Sequence, residues 1–130
     1  MNPSKTILVS GASGLTGSAL SVVLRERGHQ VRTLSRSNGD VIWNPSSGQL
    51  EADALDGVDA VVHLAGESIA QRWTDEAKRR ILDSRVKGTR LLAEAIAARE
   101  SKPSFISASG GNFYGYALEA AVDENSPSGD

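Results

Sequence analysis

Apolar residues along this chain follow two alternating patterns. Short β-type runs occur at Thr6–Ser10, Gln30–Leu34, Val41–Trp43, Asp59–Leu64 and Ser104–Ser107, and each predicts a strand. The first and fourth runs are almost continuously apolar, as in a parallel sheet covered on both faces. Between the first two runs, Leu15, Ala19, Val22 and Val23 recur at helical spacing up to Gly28, a residue suited to the left-handed position after a helix. A longer helix is predicted after Trp73. Thr74 is its expected N-cap, with Asp75 and Glu76 in the first turn, where the helix dipole favours negative charge. Ile81, Leu82, Val86, Leu92, Ala93 and Ile96 then form an apolar stripe that ends before Pro103. Gly88 interrupts the stripe at a cost of about 1 kcal/mol relative to alanine, which predicts a close packing contact there. Strands alternating with helices predict right-handed βαβ units and an α/β fold with a doubly wound parallel sheet of about five strands. The stretch from Ala117 to Asp130 is polar, contains Pro127 and Gly129, and is expected to be irregular.

Composition narrows the class. At 130 residues, the chain is expected to form one domain over residues 1–130, because domains typically take roughly 100–200 residues. A content of 39% apolar and 23% charged residues suits a packed core rather than disorder. Lys and Arg number 14 against 16 Asp and Glu, so no basic footprint for nucleic acid or a membrane surface is expected. The absence of cysteine excludes a disulfide scaffold, a thiolate nucleophile and Cys-based metal sites, and no metal is expected. Apolar runs such as Ala60–Val62 fall far short of the ~20 residues that span a bilayer. Lys5 leads directly into the first strand with no signal-peptide pattern, so a cytoplasmic location is expected.

The strongest chemical signal is Gly11-Ala12-Ser13-Gly14-Leu15-Thr16-Gly17, directly after the first strand and opening the first helix. Glycines at this spacing permit a tight turn, close approach of backbone to a pyrophosphate, and close packing of helix on strand. The helix N-terminus adds unpaired N–H groups and the positive end of its dipole. A glycine-rich structural turn is the alternative, but the strand–turn–helix setting favours dinucleotide binding. A site for NAD usually carries Asp or Glu at the end of the second strand to bind the ribose 2′-hydroxyl. Here the chain reads Leu34-Ser35-Arg36-Ser37, and Ser35 with Arg36 suits a 2′-phosphate instead. NADP(H) is therefore the expected cofactor, the competing reading being that Arg36 is a solvated surface arginine. Leu64, Ala65 and Gly66 follow the fourth strand, beside the expected switch point, where small residues leave room for a ligand. His63, inside that strand, is expected to be packed and hydrogen-bonded rather than catalytic, and Glu67 to be a solvated carboxylate, the alternative being contact with substrate at the mouth of the site. After the fifth strand come Ser109 and Tyr114, candidates for polarising a substrate oxygen or donating a proton. A Gly-, Ser- and Asn-rich segment is equally an ordinary loop, and packing is the favoured role for Tyr114. A catalytic tyrosine also needs a nearby cation, yet Leu118 and Ala120, not lysine, lie four residues beyond Tyr114 and Tyr116.

The glycine turn, His63-Leu64-Ala65 and Ser107-Ala108-Ser109 with Tyr114-Gly115 resemble the extended short-chain dehydrogenase/reductases. More narrowly, the chain resembles the atypical nucleoside-diphosphate-sugar epimerase-like branch, some of whose members carry a cell-division label. That likeness rests on Leu34-Ser35-Arg36, Trp43-Asn44-Pro45, Leu64 to Ala70, Arg72-Trp73 with Lys78, Ile81, Ser84-Arg85, and Asp123 to Pro127. It implies a Rossmann fold binding NADP(H). It implies further that Gly11, Gly14, Leu15, Thr16 and Gly17 line the pyrophosphate, with Ser13 in the same turn. Ser35 and Arg36 would take the 2′-phosphate end, and Leu64 and Ala65 would run along the cofactor. Arg85, and more weakly Arg80, would be cofactor contacts, and Ser109 would hold the position of the active-site hydroxyl. Two departures stand out. Gly110, Gly111, Asn112 and Phe113 replace the usual residues of the active-site loop, and relatives continue past Asp130 into a substrate-binding region. The chain is therefore expected to be either a fragment, the N-terminal portion of a longer family fold, or a natural short chain, with the C-terminal substrate lobe absent.

The leading expectation is thus the NADP(H)-binding part of an oxidoreductase or epimerase acting on a small substrate of nucleotide-sugar type. The alternatives are a non-catalytic NADP(H)-binding or redox-sensing module and, last, an interaction protein in cell division. A sheet left with an open edge also predicts self-association, because unpaired strand edges invite pairing.

Overall fold

The computed structural model describes residues 2–116 and 120–129. In chain order the elements are β1 (Thr6–Ser10), α1 (Leu15–Glu26), β2 (Gln30–Ser35), β3 (Val41–Asn44), β4 (Gln49–Leu50), β5 (Ala60–His63), α2 (Asp75–Ala97) and β6 (Ser104–Ser107), followed by a 3₁₀ turn at Gly111–Tyr114. The strands form one sheet in the order β4-β3-β2-β1-β5-β6. All neighbours are parallel except β4, which pairs antiparallel with β3 through Trp43↔Leu50 and Asn44↔Gln49. The sheet therefore has six strands rather than about five. The additional one is a two-residue hairpin return, too short to carry a period of its own.

Alternation of side chains along the strands divides the core between two faces. Ile7, Val9 and Val62 point to the face covered by Leu20 and Leu24 of α1. Leu8, Leu34, Val41, Trp43 and Val61 point to the other, against Leu92 and Ile96 of α2. Helices on opposite faces make the sheet doubly wound, as predicted. The chain order reverses between β1 and β5, whose adjacent carboxyl ends form the switch point.

Two helical crossovers are replaced by tighter devices. Residues 36–40 alone connect the parallel pair β2 and β3, where a crossover usually takes a dozen residues or more. The carboxylate of Asp40 closes this loop by accepting from the Thr33 amide at 2.8 Å and the Thr33 hydroxyl at 3.1 Å. The Asp40 amide donates back to Thr33 Oγ1 at 3.0 Å. Successive tight turns between Glu51 and Val58 then bring Ala54, Leu55 and Val58 into the α2-side core.

The helix signals behave as expected. The Thr74 hydroxyl accepts from the Ala77 amide at 3.1 Å, and α1 ends before Gly28, whose amide bonds the Arg25 carbonyl at 3.0 Å. Gly88 is buried where a Cβ would meet Trp43 Cη2 at 3.3 Å and His63 Cε1 at 3.5 Å, the close contact its place in the stripe predicts. Of the tail expected to be irregular, residues 117–119 and 130 lie outside the described residues, and residues 120–129 contain no helix or strand.

Candidate functional site

The switch point is floored by backbone. Gly11 leaves β1 with φ +71°, and a Cβ there would lie 2.8 Å from the Leu64 carbonyl carbon and 2.9 Å from the Ala65 amide nitrogen. Both the left-handed conformation and the lack of room require glycine. At Gly17 a Cβ would lie 2.8 Å from the Gly11 carbonyl carbon and 2.9 Å from Ala12 Cα, so this glycine lets α1 sit directly on the turn. The Gly14 amide bonds the Gly11 carbonyl at 3.1 Å, and Gly14 caps α1 without any side-chain hydrogen bond. The first amides of α1 are thus left to an external acceptor, and the dipole favours an anionic one. Ser13, Gly14 and Thr16 are exposed along this rim, and the Leu15 side chain is 92% exposed. An aliphatic side chain so placed offers an apolar surface beside those amides.

Facing the turn, Leu64 and Ala65 are anchored from below. Their amides reach Ser10 Oγ at 3.1 and 3.2 Å, and Ser10 Oγ lies 2.6 Å from His63 Nδ1. Ser10 and His63 are both buried. The His63 ring meets Trp43 edge-on with centroids 5.8 Å apart and stacks on Phe105 at 6.4 Å. Burial pushes its pKa below the ordinary histidine value. His63 is therefore the packed, hydrogen-bonded residue the sequence predicts.

From Gly66 onward the loop is bolted to α2. Arg85 donates to the Glu67 carbonyl at 3.0 Å and to the Ile81 carbonyl at 3.2 Å, and its guanidinium covers Gly66, where a Cβ would lie 3.1 Å from Cζ. Ser84 Oγ accepts from the Glu67 amide at 2.9 Å. Arg80 pairs with Glu67 at 3.6 Å and Glu76 at 3.2 Å and donates to Gln71 at 3.2 Å. Glu67 is half-buried and engaged rather than freely solvated. Within this chain, Arg80 and Arg85 are thus held by the loop, and Arg85 reaches the site through Gly66.

At the end of β2, Ser35 Oγ accepts from the Ser37 and Asn38 amides, each at 3.4 Å. Arg36 is exposed and, among the described residues, has no hydrogen-bond or ion-pair partner. Asp40, the carboxylate nearest in sequence, is committed to Thr33, and that bond from the Thr33 amide is the main reason its pKa is lowered.

Beyond β6, the Ala108 amide bonds the His63 carbonyl at 3.0 Å, which fixes the strand end beside the Leu64 turn. Ser109 is exposed directly after it, whereas Tyr114 is half-buried and meets Phe113 edge-on at 5.1 Å. Among the described residues no cluster of His, Asp and Glu could hold a metal ion, and no helix is long and apolar enough to cross a membrane. The cavity lined by Leu50, Leu55, Leu91 and Ala95 includes none of the residues singled out from the sequence.

Ser10 and Asp40 shape this region and were missed by sequence reasoning, which named Ser84 only within the Ser84-Arg85 pair and gave it no part in holding Glu67. A serine closing the first strand before the glycine turn was the available signal for Ser10, but its partners lie 53 to 55 residues away.

The family model for the NAD dependent epimerase/dehydratase family matches residues 7–130. An epimerase family protein of Mycobacterium leprae is 39% identical over 95% of this chain and 41% of its own length. The human epimerase family protein SDR39U1 is 37% identical over 95% of this chain and 43% of its own. The chain thus spans less than half the length of these relatives. Among solved structures, a nucleoside-diphosphate sugar epimerase from Corynebacterium glutamicum superposes with a TM-score of 0.82 at 37% identity, over 98% of this chain and 27% of that one. The human protein, solved with NADPH, superposes with a TM-score of 0.78 at 36% identity, over 96% of this chain and 43% of that one.

Proposed function

The chain belongs to the NAD dependent epimerase/dehydratase family, and from that premise we propose that it is the NADP(H)-binding part of an oxidoreductase or epimerase acting on a small substrate of nucleotide-sugar type. The observation that carries the reading is the fit of the switch point to a dinucleotide. Gly11 and Gly17 admit no side chain, and the uncapped α1 terminus leaves amides for a pyrophosphate. NADP(H) rather than NAD(H) is supported by the exposed Arg36 beside Ser35, unpaired among the described residues, and by the engagement of Asp40 with Thr33. The human relative solved with NADPH agrees with this choice.

In this reading Gly11, Ser13, Gly14, Leu15, Thr16 and Gly17 hold the pyrophosphate end. Ser35 and Arg36 take the 2′-phosphate, and Leu64, Ala65 and Gly66 form the floor. Arg85 supports that floor by holding Gly66 and Glu67, and Arg80 steadies it through Glu67. The nicotinamide, when bound, supplies a hydride donor or acceptor at C4. Ser109 would polarise the substrate oxygen. Tyr114, packed on Phe113, is the weaker candidate for an acid. Self-association through the outer edge of β6, which among the described residues has a strand on one side only, belongs to the same reading, as does a cytoplasmic location.

Fluorescence titration checks the cofactor: NADPH should bind at least about tenfold more tightly than NADH, and equal affinities would reject the 2′-phosphate assignment. A second reading, a non-catalytic NADP(H)-binding module, is favoured by the packed ring of Tyr114 and by the missing lysine four residues beyond it. NADPH oxidation over a panel of carbonyl compounds and nucleotide sugars separates the two. Turnover abolished by Ser109→Ala supports the enzyme, and binding without turnover supports the module.

A further inference from the structure

We propose that His63 is a positioning residue for the dinucleotide, acting through the single proton of the Ser10 hydroxyl. This rests on the cofactor reading above and adds a residue that touches no ligand. A serine hydroxyl has one proton and two acceptor sites. At Ser10 both acceptor sites face backbone amides, those of Leu64 at 3.1 Å and Ala65 at 3.2 Å. The Leu64 amide is shared with the Ser10 carbonyl at 3.2 Å, so the hydroxyl is the acceptor on which the Ala65 amide depends. The proton has one remaining destination, His63 Nδ1 at 2.6 Å. His63 must then accept at Nδ1, which makes it the neutral imidazole with its own proton on Nε2.

The surroundings hold it in that state. The groups facing the ring are Ser10 from β1, Trp43 from β3, Phe105 from β6 and Gly88 from α2. Among the described residues none of these groups is charged, and burial is the sole cause of its lowered pKa. Gly88 belongs to the same device, since a side chain there would meet the Trp43 and His63 rings. The chain thus runs from α2, through His63 and Ser10, to the Leu64–Ala65 backbone, against which Gly11 is also packed. A protonated His63 would present N–H at both ring nitrogens and reverse the bond to Ser10. The hydroxyl would then have an acceptor site claimed by the ring, at the expense of the Leu64 and Ala65 amides, and the floor would lose its register with the glycine turn.

The test combines tautomer and affinity measurements on the full chain. Nitrogen NMR of the unsubstituted protein at neutral pH should show His63 protonated at Nε2 and bare at Nδ1. In calorimetric titrations with NADP⁺, His63→Asn, whose Oδ1 can stand in for Nδ1, should bind within about twofold of the unsubstituted chain. His63→Leu, which removes the acceptor, should bind about tenfold more weakly, the scale of one orphaned buried donor. As the pH is lowered from 8 until His63 titrates in the nitrogen spectrum, the unsubstituted chain should lose more affinity than His63→Asn, and equal losses would overturn the proposal. Titration of the ligand's own phosphate cancels in this comparison. A proton found on Nδ1, or leucine binding as well as asparagine, would overturn the proposal while leaving the cofactor reading intact. Failure of the unsubstituted chain to bind NADP⁺ would overturn both. If His63→Leu does not fold, the tautomer and the pH comparison still decide.

Discussion

Single residues set the shape of the switch point, and their effects are separable. Gly11→Ala would force a side chain into a left-handed conformation and against the Leu64–Ala65 backbone. Each such strain is worth on the order of 1–3 kcal/mol, so denaturant unfolding should show at least that loss, together with loss of NADPH binding. Gly88→Leu should cost as much through overpacking against Trp43 and His63, although Gly88 lies inside a helix where alanine-like residues are usually preferred. His63 adds a pH signature. Its folded pKa is lowered by burial, so below the unfolded value of about 6.5 the unfolded chain binds more protons than the folded one. Stability contributed by neutral His63 is therefore intact above that pH and declines as pH falls through the region below it. Unfolding between pH 7 and pH 5 should show this slope, and His63→Asn should flatten it. The sequence makes His63 legible as a packed residue because it lies inside an apolar run. It does not reveal that the partner is Ser10, since strand register alone brings the two together.

At the scale of elements, the long helix and the five principal strands follow from periodicity, and their caps from local chemistry. Thr74 is the clearest case. Its hydroxyl holds the Ala77 amide, and Thr74→Ala should cost about 1 kcal/mol in urea unfolding. The β2–β3 connection is where periodicity runs out. No helix crosses there, and residues 36–40 succeed as a parallel link because Thr33 and Asp40 bond each other reciprocally. No one-dimensional pattern marks such a clamp. The lowered pKa of Asp40, caused first by the Thr33 amide and opposed by burial, gives it a direction. Its contribution is present above the ordinary carboxylate range and disappears as pH falls through its folded value. Asp40→Asn should therefore reduce the acid sensitivity of unfolding below about pH 4. Because the clamp carries the loop with Ser35 and Arg36, the same variant should also narrow the preference for NADPH over NADH. Unchanged preference would mean that the loop holds its shape without Asp40. The β4 hairpin, of two residues, was beyond the reach of pattern reading for a simpler reason: it is shorter than one period.

For the whole molecule, topology determines what the site can be. The order β4-β3-β2-β1-β5-β6 puts the reversal between β1 and β5, so the glycine turn and the Leu64–Gly66 segment share one end of the sheet. The sequence anticipated both segments and their proximity. It did not anticipate how Arg80 and Arg85 are spent, because the Glu67 carbonyl and carboxylate that engage them depend on the course of the loop leading into α2. On the opposite flank, no strand lies beyond β6 among the described residues, and Ile106 is 57% exposed. If the edge drives self-association, light scattering should show mass rising with concentration, and Ile106→Lys should suppress the rise; a clean monomer at every concentration would contradict it. The most direct test of NADP(H) binding at the switch point is a thermal unfolding comparison of the chain alone, with NADPH and with NADH, repeated on Arg36→Glu. At ~100 times its dissociation constant a ligand stabilises the folded state by ~2.7 kcal/mol, a rise of several degrees in a domain of this size. NADPH should produce that rise, NADH a smaller one, and Arg36→Glu should abolish the difference. A cooperative transition that neither nucleotide moves would show that the glycine turn does not hold a dinucleotide in this chain.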